Sequence, residues 1–466
     1  MAKVCALAQN AGLSRRKNTM RTMDRSTMDR PSAWTTWAVF VAVVVLQLPL
    51  ILNPGYYSHD ELQWAAFADQ GQTFASLWAQ VDTFQYRPVT FSLWIWLSSH
   101  LFEHPQAFHG VMVAWGGLNA VLLARLMVRL GVGAKAAFVG AVVFAMSAFA
   151  IQTHGWAGTL ADLIWVSCAL LVGQLALGGR RGWQVFAGAA LLTALGLLSK
   201  ESAIVIPALA ALGWLFLGRG RSWVMATAGS LLPTLVWLAL RVQVVLFSPR
   251  EASNYEWSFR FLPLRWLEYQ LYTPLVTRAG INNLFPGSFD EPRVWVAIAI
   301  WLALAWTFWR VGARWFWAFL LAGGAALGPV LILAESSNQY GYGFAAVVAA
   351  LGAAAWAHVG RAGRVVLVLF ATLSVWHGVN VMRRMHEVGT IQSRFSPAVA
   401  AAVSNATTYP VRIRAADAGQ HWIYLRFTHQ IPQYRGVPIG DRVQLVATDA
   451  PADYVIAKDG TLSPAK

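Results

Sequence analysis

Long apolar runs, separated by short polar or basic segments, fill most of positions 34–382. A run of about 20 residues rising 1.5 Å each as a helix crosses about 30 Å of hydrocarbon. By that criterion the windows 34–52, 107–129, 135–151, 159–177, 183–198, 202–217, 222–246, 292–310, 315–334, 341–358 and 364–382 predict about eleven transmembrane helices. The first run, Trp34 to Leu52, is longer than the apolar core of a signal peptide and ends in Asn-Pro-Gly, which predicts an uncleaved first span.

Two apolar stretches read differently. Val89 to Phe102 is short for a crossing, and counting it as a span would reverse the charge pattern of every later loop. It is expected on the outer surface. Phe74, Leu77, Trp78 and Val81 recur at the spacing of one helical face, which predicts a helix lying in the interface. Residues 53–106 therefore form a first external loop large enough to build a site. A second runs from Ser248 to Pro292, with aromatic and proline residues among Arg260, Arg265, Glu268 and Arg278, and is expected to act as a lid or acceptor-contact region. After the last run the chain becomes polar. There His421 to Phe427 and Asp453 to Ile456 look strand-like. The predicted architecture is an all-α polytopic membrane protein with external interfacial helices and a small C-terminal extracytoplasmic α/β domain. Its parts are a cytoplasmic basic tail at 1–33, a transmembrane domain at 34–384 and the C-terminal domain at 385–466.

Composition supports the membrane reading: 57% of residues are hydrophobic and 12% charged, a balance that excludes an ordinary soluble domain. The net charge of +15 lies mainly in the tail and in short segments between runs, where it reads as an orientation signal and not as a nucleic-acid surface. The tail, with Arg15, Arg16 and Lys17, is expected to be disordered. Arg125, Arg129 and Lys135, then Arg180 and Arg181, Arg219 and Arg221, Arg310 and Arg314, and Arg361 and Arg364 fall on one side, which puts the N-terminus in the cytoplasm and the C-terminal region outside an inner or plasma membrane. Arg383 and Arg384 break the pattern. The 24 Trp residues suit many interfacial helix ends. Cys5 and Cys168 are too few for a disulfide framework or a thiolate metal site.

Candidate chemistry begins directly after the first span, at Tyr56-Tyr57-Ser58-His59-Asp60-Glu61. Adjacent carboxylates at a membrane surface suit a general base or a metal ligand; the same residues also suit the acidic first turn of a helix capped by Ser58. Downstream come Tyr86-Arg87-Pro88, a surface helix and a long span, Asp162 in an external segment, and Leu198-Ser199-Lys200-Glu201-Ser202-Ala203 ahead of Pro207. This order resembles the GT-C membrane glycosyltransferases, particularly the protein mannosyltransferase and aminoarabinose transferase-like branch, over about residues 34–382 and most firmly over 56–207.

The resemblance implies transfer of a sugar from a polyprenyl-phosphate carrier to an envelope glycan, lipid or protein, with inversion at the anomeric carbon. It matches Asp60 and Glu61 to the family's essential acids and Asp162 to its second acidic position, with Asp60 as general base. Arg87, Lys200 and Arg241 are the cations available to a departing phosphate. Arg87 stands where relatives carry a basic residue before proline, although snorkelling to head groups also accounts for it; Lys200 and Glu201 could simply neutralise one another; Arg241 matches no family motif but is costly in an apolar run unless it faces a cavity or snorkels. His59, Glu201 and Tyr340 complete the candidate site, with Glu335 and Tyr342 nearby in sequence. His59 and His154 could join the acids around a divalent cation, but no spacing demands one, and no other cofactor is implied. The competing class is a transporter or flippase, since charged and Gly/Pro-interrupted spans also mark transport sites; a non-catalytic scaffold would leave Asp60 and Asp162 without a shared task.

Overall fold

A computed structural model describes residues 33–465 apart from 72–73, 82, 84, 248–255, 278–287 and 429–430. The basic tail and Arg278 thus lie outside the described residues, apart from the last residue of the tail. Each apolar window forms helix, but not always in one piece. Among the described residues, six helices are long and apolar enough to cross a membrane: Pro105–Arg129, Ala157–Leu177, Arg221–Val244, Pro292–Val311, Ala313–Ile332 and Arg361–Asn405. A bent pair, Ala134–Ala145 and Ala148–Gly155, meets at 60° and makes a seventh if it is one span. Thr36–Leu46, Gly182–Leu197 and Glu201–Leu217 are shorter apolar helices.

In chain order the first elements are α1 (Ala33–Leu46) and α2 (Leu48–Ile51), α3 (His59–Asp69), α4 (Phe74–Ala79) and α5 (Pro88–Leu101). There follow α6 (Pro105–Arg129), α7 (Ala134–Ala145), α8 (Ala148–Gly155), α9 (Leu160–Leu177), α10 (Gly182–Leu197), α11 (Ile206–Leu217) and α12 (Arg221–Phe247). Then come α13 (Leu262–Leu275), α14 (Pro292–Val311), α15 (Ala313–Leu327), α16 (Tyr342–Ala355) and α17 (Arg361–Asn405). Breaks have local causes. At Gln47 the helix is interrupted ahead of Pro49, which has no N–H to donate, and the Gln47 side chain instead donates to the Ala145 carbonyl at 2.8 Å. The α7–α8 corner at Met146–Ser147 lies directly against Gly378 of α17, where any side chain would collide with the Met146 carbonyl. Helix α6 sits among α1, α7 and α9, and α12 packs along α10 and α11. Leu191, Leu240 and Val236 project outward, as expected of faces that meet lipid.

Helix α17 is 45 residues long, about 67 Å at the helical rise and twice the hydrocarbon thickness. Its second half buries Val388, Ile391, Phe395, Val399 and Val403, the recurrence of one helical face, against the C-terminal segment. The sequence boundary at 384/385 therefore falls inside a continuous helix. The segment itself carries β1 (Val411–Ala415), α18 (His421–Thr428), the short hairpin β2 (Gln433–Tyr434) and β3 (Val437–Pro438), then β4 (Val443–Val446), β5 (Tyr454–Ile456) and β6 (Leu462–Pro464). The sheet order is β4-β1-β5-β6, with β1 parallel to both β4 and β5 and β5 antiparallel to β6. The strand expected at 453–456 is present. The one expected at 421–427 is instead helix α18, because Ile423, Tyr424 and Phe427 form one buried helical face against α17, with the Tyr424 and Phe395 rings 5.0 Å apart.

Leu62 of α3 joins this same core, so the first loop and the C-terminal segment lie at one end of the molecule. Arg384 also faces this segment: it pairs with Glu387 at 2.9 Å and lies 5.3 Å from the Trp422 ring. That contact gives Arg384, one of the irregular basic pair of the sequence, a physical setting.

Candidate active site

The loop leading to Asp60 is tied to the long helix. Asn53 Nδ2 donates to the Met385 carbonyl at 3.1 Å, and the Tyr56 N–H to Gln392 Oε1 at 2.8 Å. Helix α3 then starts at His59. Ser58 occupies its N-cap position in an extended conformation but makes no capping bond. Its hydroxyl lies 3.3 Å from Asp60 Oδ2 and 3.3 Å from His59 Nδ1, while His59 Nε2 is 3.6 Å from Asp60 Oδ1.

The two adjacent acids diverge because successive helical positions point about 100° apart. Asp60 keeps a quarter of its side chain exposed, whereas Glu61 is buried. Glu61 Oε1 accepts the Ala157 N–H at 3.1 Å, and Oε2 has no hydrogen-bond partner among the described residues. Burial, and then the neighbouring Asp60 charge, push the Glu61 carboxyl up to about 8. Glu61 thus docks α3 onto the 156–159 turn, with burial favouring its neutral form, and Asp60 is the more exposed of the two acids.

That turn comes close to Asp60. A Cβ on Gly158 would lie 2.5 Å from Trp156 Nε1 and 2.6 Å from Asp60 Oδ2, so only glycine leaves room for both. One helical turn later, Asp162 is buried; its Oδ1 accepts the Trp165 indole N–H at 3.2 Å, and its Oδ2 accepts from Lys200 Nζ at 2.5 Å. Lys200 also lies 4.7 Å from the Tyr340 ring. Glu201 turns away from Lys200 and holds Arg87 bidentately, with contacts of 2.7, 3.0 and 3.1 Å. The start of α5 is pinned to the same bend, as the Val89 N–H donates to the Leu198 carbonyl at 3.2 Å and Thr90 Oγ1 to the Ser199 carbonyl at 2.8 Å. Lys200 and Glu201, neighbours that could have neutralised each other, instead each bind a residue on another element. Arg241 of α12 donates to the Val81 carbonyl and, at 2.5 Å, to the Thr83 carbonyl, with its guanidinium 5.5 Å from the Tyr86 ring.

The structure therefore links Asp60, Glu61, Asp162, Lys200, Tyr340, Glu201 and Arg87 through successive contacts around the 156–162 and 198–201 bends, with His59 beside Asp60. Arg241 braces the approach to Arg87. His154 belongs elsewhere: it lies 2.9 Å from Gln47 Oε1 and 3.0 Å from the Tyr342 hydroxyl inside the bundle. Among the described residues no group of three or more His, Cys, Asp or Glu side chains comes together as a metal site. Glu335 is exposed. In the second loop Arg265 and Glu268 form a buried pair, with Arg265 Nη1 3.3 Å from Ser336 Oγ, so this part of the loop is a packed helix, α13.

Sequence reasoning missed Arg426 of α18. Its Nη2 donates to Ser58 Oγ at 2.5 Å, and its guanidinium lies 5.6 Å from the Tyr57 ring and 5.7 Å from that of Trp156. Nothing in a local pattern signals this contact, which spans 368 positions. Gly158 and Trp156 were missed for the same reason.

A cavity of about 1210 Å³ with mostly apolar walls lies within the bundle. Phe149 and Trp165, whose indole holds Asp162, line one part; Gly131, Lys135 and Arg314 line another. No family model, no curated protein and no solved structure matches the chain.

Proposed function

We propose that this chain is a GT-C-like glycosyltransferase that moves a sugar from a polyprenyl-phosphate donor to an acceptor at the external face of an inner or plasma membrane. In this reading all eleven apolar windows cross or enter the bilayer, the N-terminus is cytoplasmic, and the C-terminal segment is extracytoplasmic. The observation that carries it is the location of Asp60. This partly exposed carboxylate stands against the turn that opens the Asp162 helix, and the same helix lines a large, mostly apolar cavity suited to an isoprenoid chain.

The step is a single displacement. The acceptor oxygen attacks the anomeric carbon and gives its proton to Asp60 as the new C–O bond forms; the bond to phosphate breaks, and its electron pair leaves with polyprenyl phosphate. Inversion follows from attack opposite the leaving group. Arg87 and Lys200 face the departing phosphate as members of carboxylate-paired networks, which fix their positions before the charge develops. Asp162 orients Lys200, and Arg241 orients the segment ahead of Arg87.

The test is transfer by purified wild type and Asp60→Asn in lipid nanodiscs, with a panel of polyprenyl-phospho-sugars and envelope extracts. Transfer by wild type and its loss in the folded variant support the base assignment. Unchanged transfer in the variant refutes that assignment. The apolar lining of the cavity also fits a lipid flippase, so wild-type translocation of the lipid without sugar transfer would replace the transferase reading.

A further inference from the structure

Around Gly158, several polar atoms are closed off from water with no hydrogen-bond partner among the described residues. They are Arg426 Nε, Trp156 Nε1 and Glu61 Oε2. Unsatisfied buried groups of this kind are costly and uncommon, and three about one turn call for an explanation. Two are N–H donors that cannot act as acceptors, so the partner they lack is an acceptor.

Arg426 is the cation of this group. It makes no ion pair among the described residues, whereas Lys200 holds Asp162 and Arg87 holds Glu201. Among the described residues its one hydrogen bond, to Ser58 Oγ, engages Nη2 and leaves Nε unpartnered. The fork of an arginine matches paired oxygens of an anion, and the flanking Tyr57 and Trp156 rings hold the guanidinium plane. Asp60 Oδ2 and Trp156 Nε1 both abut the bare Cα of Gly158. Burial favours the neutral form of Glu61, which lessens the negative charge that would repel an anion here.

We propose that Arg426 and Trp156 form a subsite for an oxyanion carried by the acceptor, beside the hydroxyl that Asp60 deprotonates. The acceptor is then an anionic saccharide or lipid, and the C-terminal segment completes its binding site. Assigning the subsite to the acceptor rests on the transferase reading, because in an inverting displacement the base side is the acceptor side; anion binding by itself does not depend on that reading.

The experiment is equilibrium binding to the full chain in zwitterionic nanodiscs. The probes are glucose 6-phosphate, glucuronate, glucose and dodecyl phosphate; the variants are Arg426→Gln, Arg426→Lys, Trp156→Phe and, as a charge-matched control, Arg394→Gln, which breaks only the exposed pair with Asp459. The expected result is that phosphate- or carboxylate-bearing probes bind at least tenfold more tightly than glucose. Arg426→Gln and Trp156→Phe each remove most of that advantage, Arg426→Lys restores part of it, and the control binds like wild type. Preference for dodecyl phosphate over glucose 6-phosphate would identify a lipid acceptor, and the reverse a soluble saccharide. Equal binding of glucose and the anions, or anion binding unaffected by both Arg426→Gln and Trp156→Phe, overturns the subsite. Either failure leaves the sugar-transfer test untouched, and absence of sugar transfer leaves this binding test valid.

Discussion

Breaking the Lys200–Asp162 pair should be far more damaging than removing it entirely. The two atoms are 2.5 Å apart and the side chains only 6% and 2% exposed, so neither charge can recover water if its partner is lost. For a pair this buried, single replacement costs about 3–5 kcal/mol, because it strands a charge, whereas replacing both groups with neutral ones of similar shape can be nearly neutral. Lys200→Met and Asp162→Asn are each expected to destabilise by about that amount, and the double variant to fall within about 1–2 kcal/mol of wild type. The Trp165 indole remains satisfied in the double variant, since Asn keeps an acceptor oxygen for it. Reversible unfolding in mixed micelles, followed by far-UV circular dichroism, gives the four free energies. Additive losses of about 6 kcal/mol or more in the double variant would refute the reasoning, because they would mean the two residues stabilise the bundle independently.

Other expectations follow from neighbouring features. The Glu61 carboxyl titrates near 8 when folded and near 4.5 in its ordinary state, so the folded form holds the proton more tightly; stability should decline on the order of a few kcal/mol as pH rises from about 4.5 to 8, and Glu61→Gln should flatten that part of the profile in melts taken across the range. A wild-type profile already flat there would contradict the buried, protonated acid. Gly158→Ala forces a methyl between Trp156 and Asp60, and should lower transfer at least about tenfold while shifting the melt little, measured as initial rates at saturating donor. Phe395→Ala empties the core between α17 and α18, costing about 3–5 kcal/mol locally. Hydrogen exchange should then rise across residues 411–456 and at α3 before the bundle changes; protection unaltered at α3 would show that the C-terminal segment does not support it.

Much of the site was legible one residue at a time. Asp60, Asp162 and Arg87 stood out through the motif order that resembles the GT-C enzymes and Lys200 as a cation at an expected helical break, and each does occupy a helix end or bend. Their pairing was not legible. Lys200 and Glu201 are adjacent, yet the bend sends one to Asp162, 38 positions away, and the other to Arg87, 114 away. The unequal roles of Asp60 and Glu61 also required burial, which depends on how α3 meets the 156–159 turn.

Sequence by itself determined that this chain is a helical membrane protein and that its apolar windows form helix, because hydrocarbon offers no partners to backbone groups and each crossing must satisfy itself within a contiguous apolar segment; it did not determine where those helices break, bend or run on. It also determined that acids and cations gather at the ends of those segments. Only the tertiary structure decided which charges pair, that residues 421–428 form a helix, and that this helix brings Arg426 to Ser58 beside Asp60. Those outcomes are set by contacts between elements that lie apart in the sequence, by 38 positions for Lys200 and Asp162 and by 368 for Arg426 and Ser58, and neither local hydropathy nor local propensity carries information about such a partner.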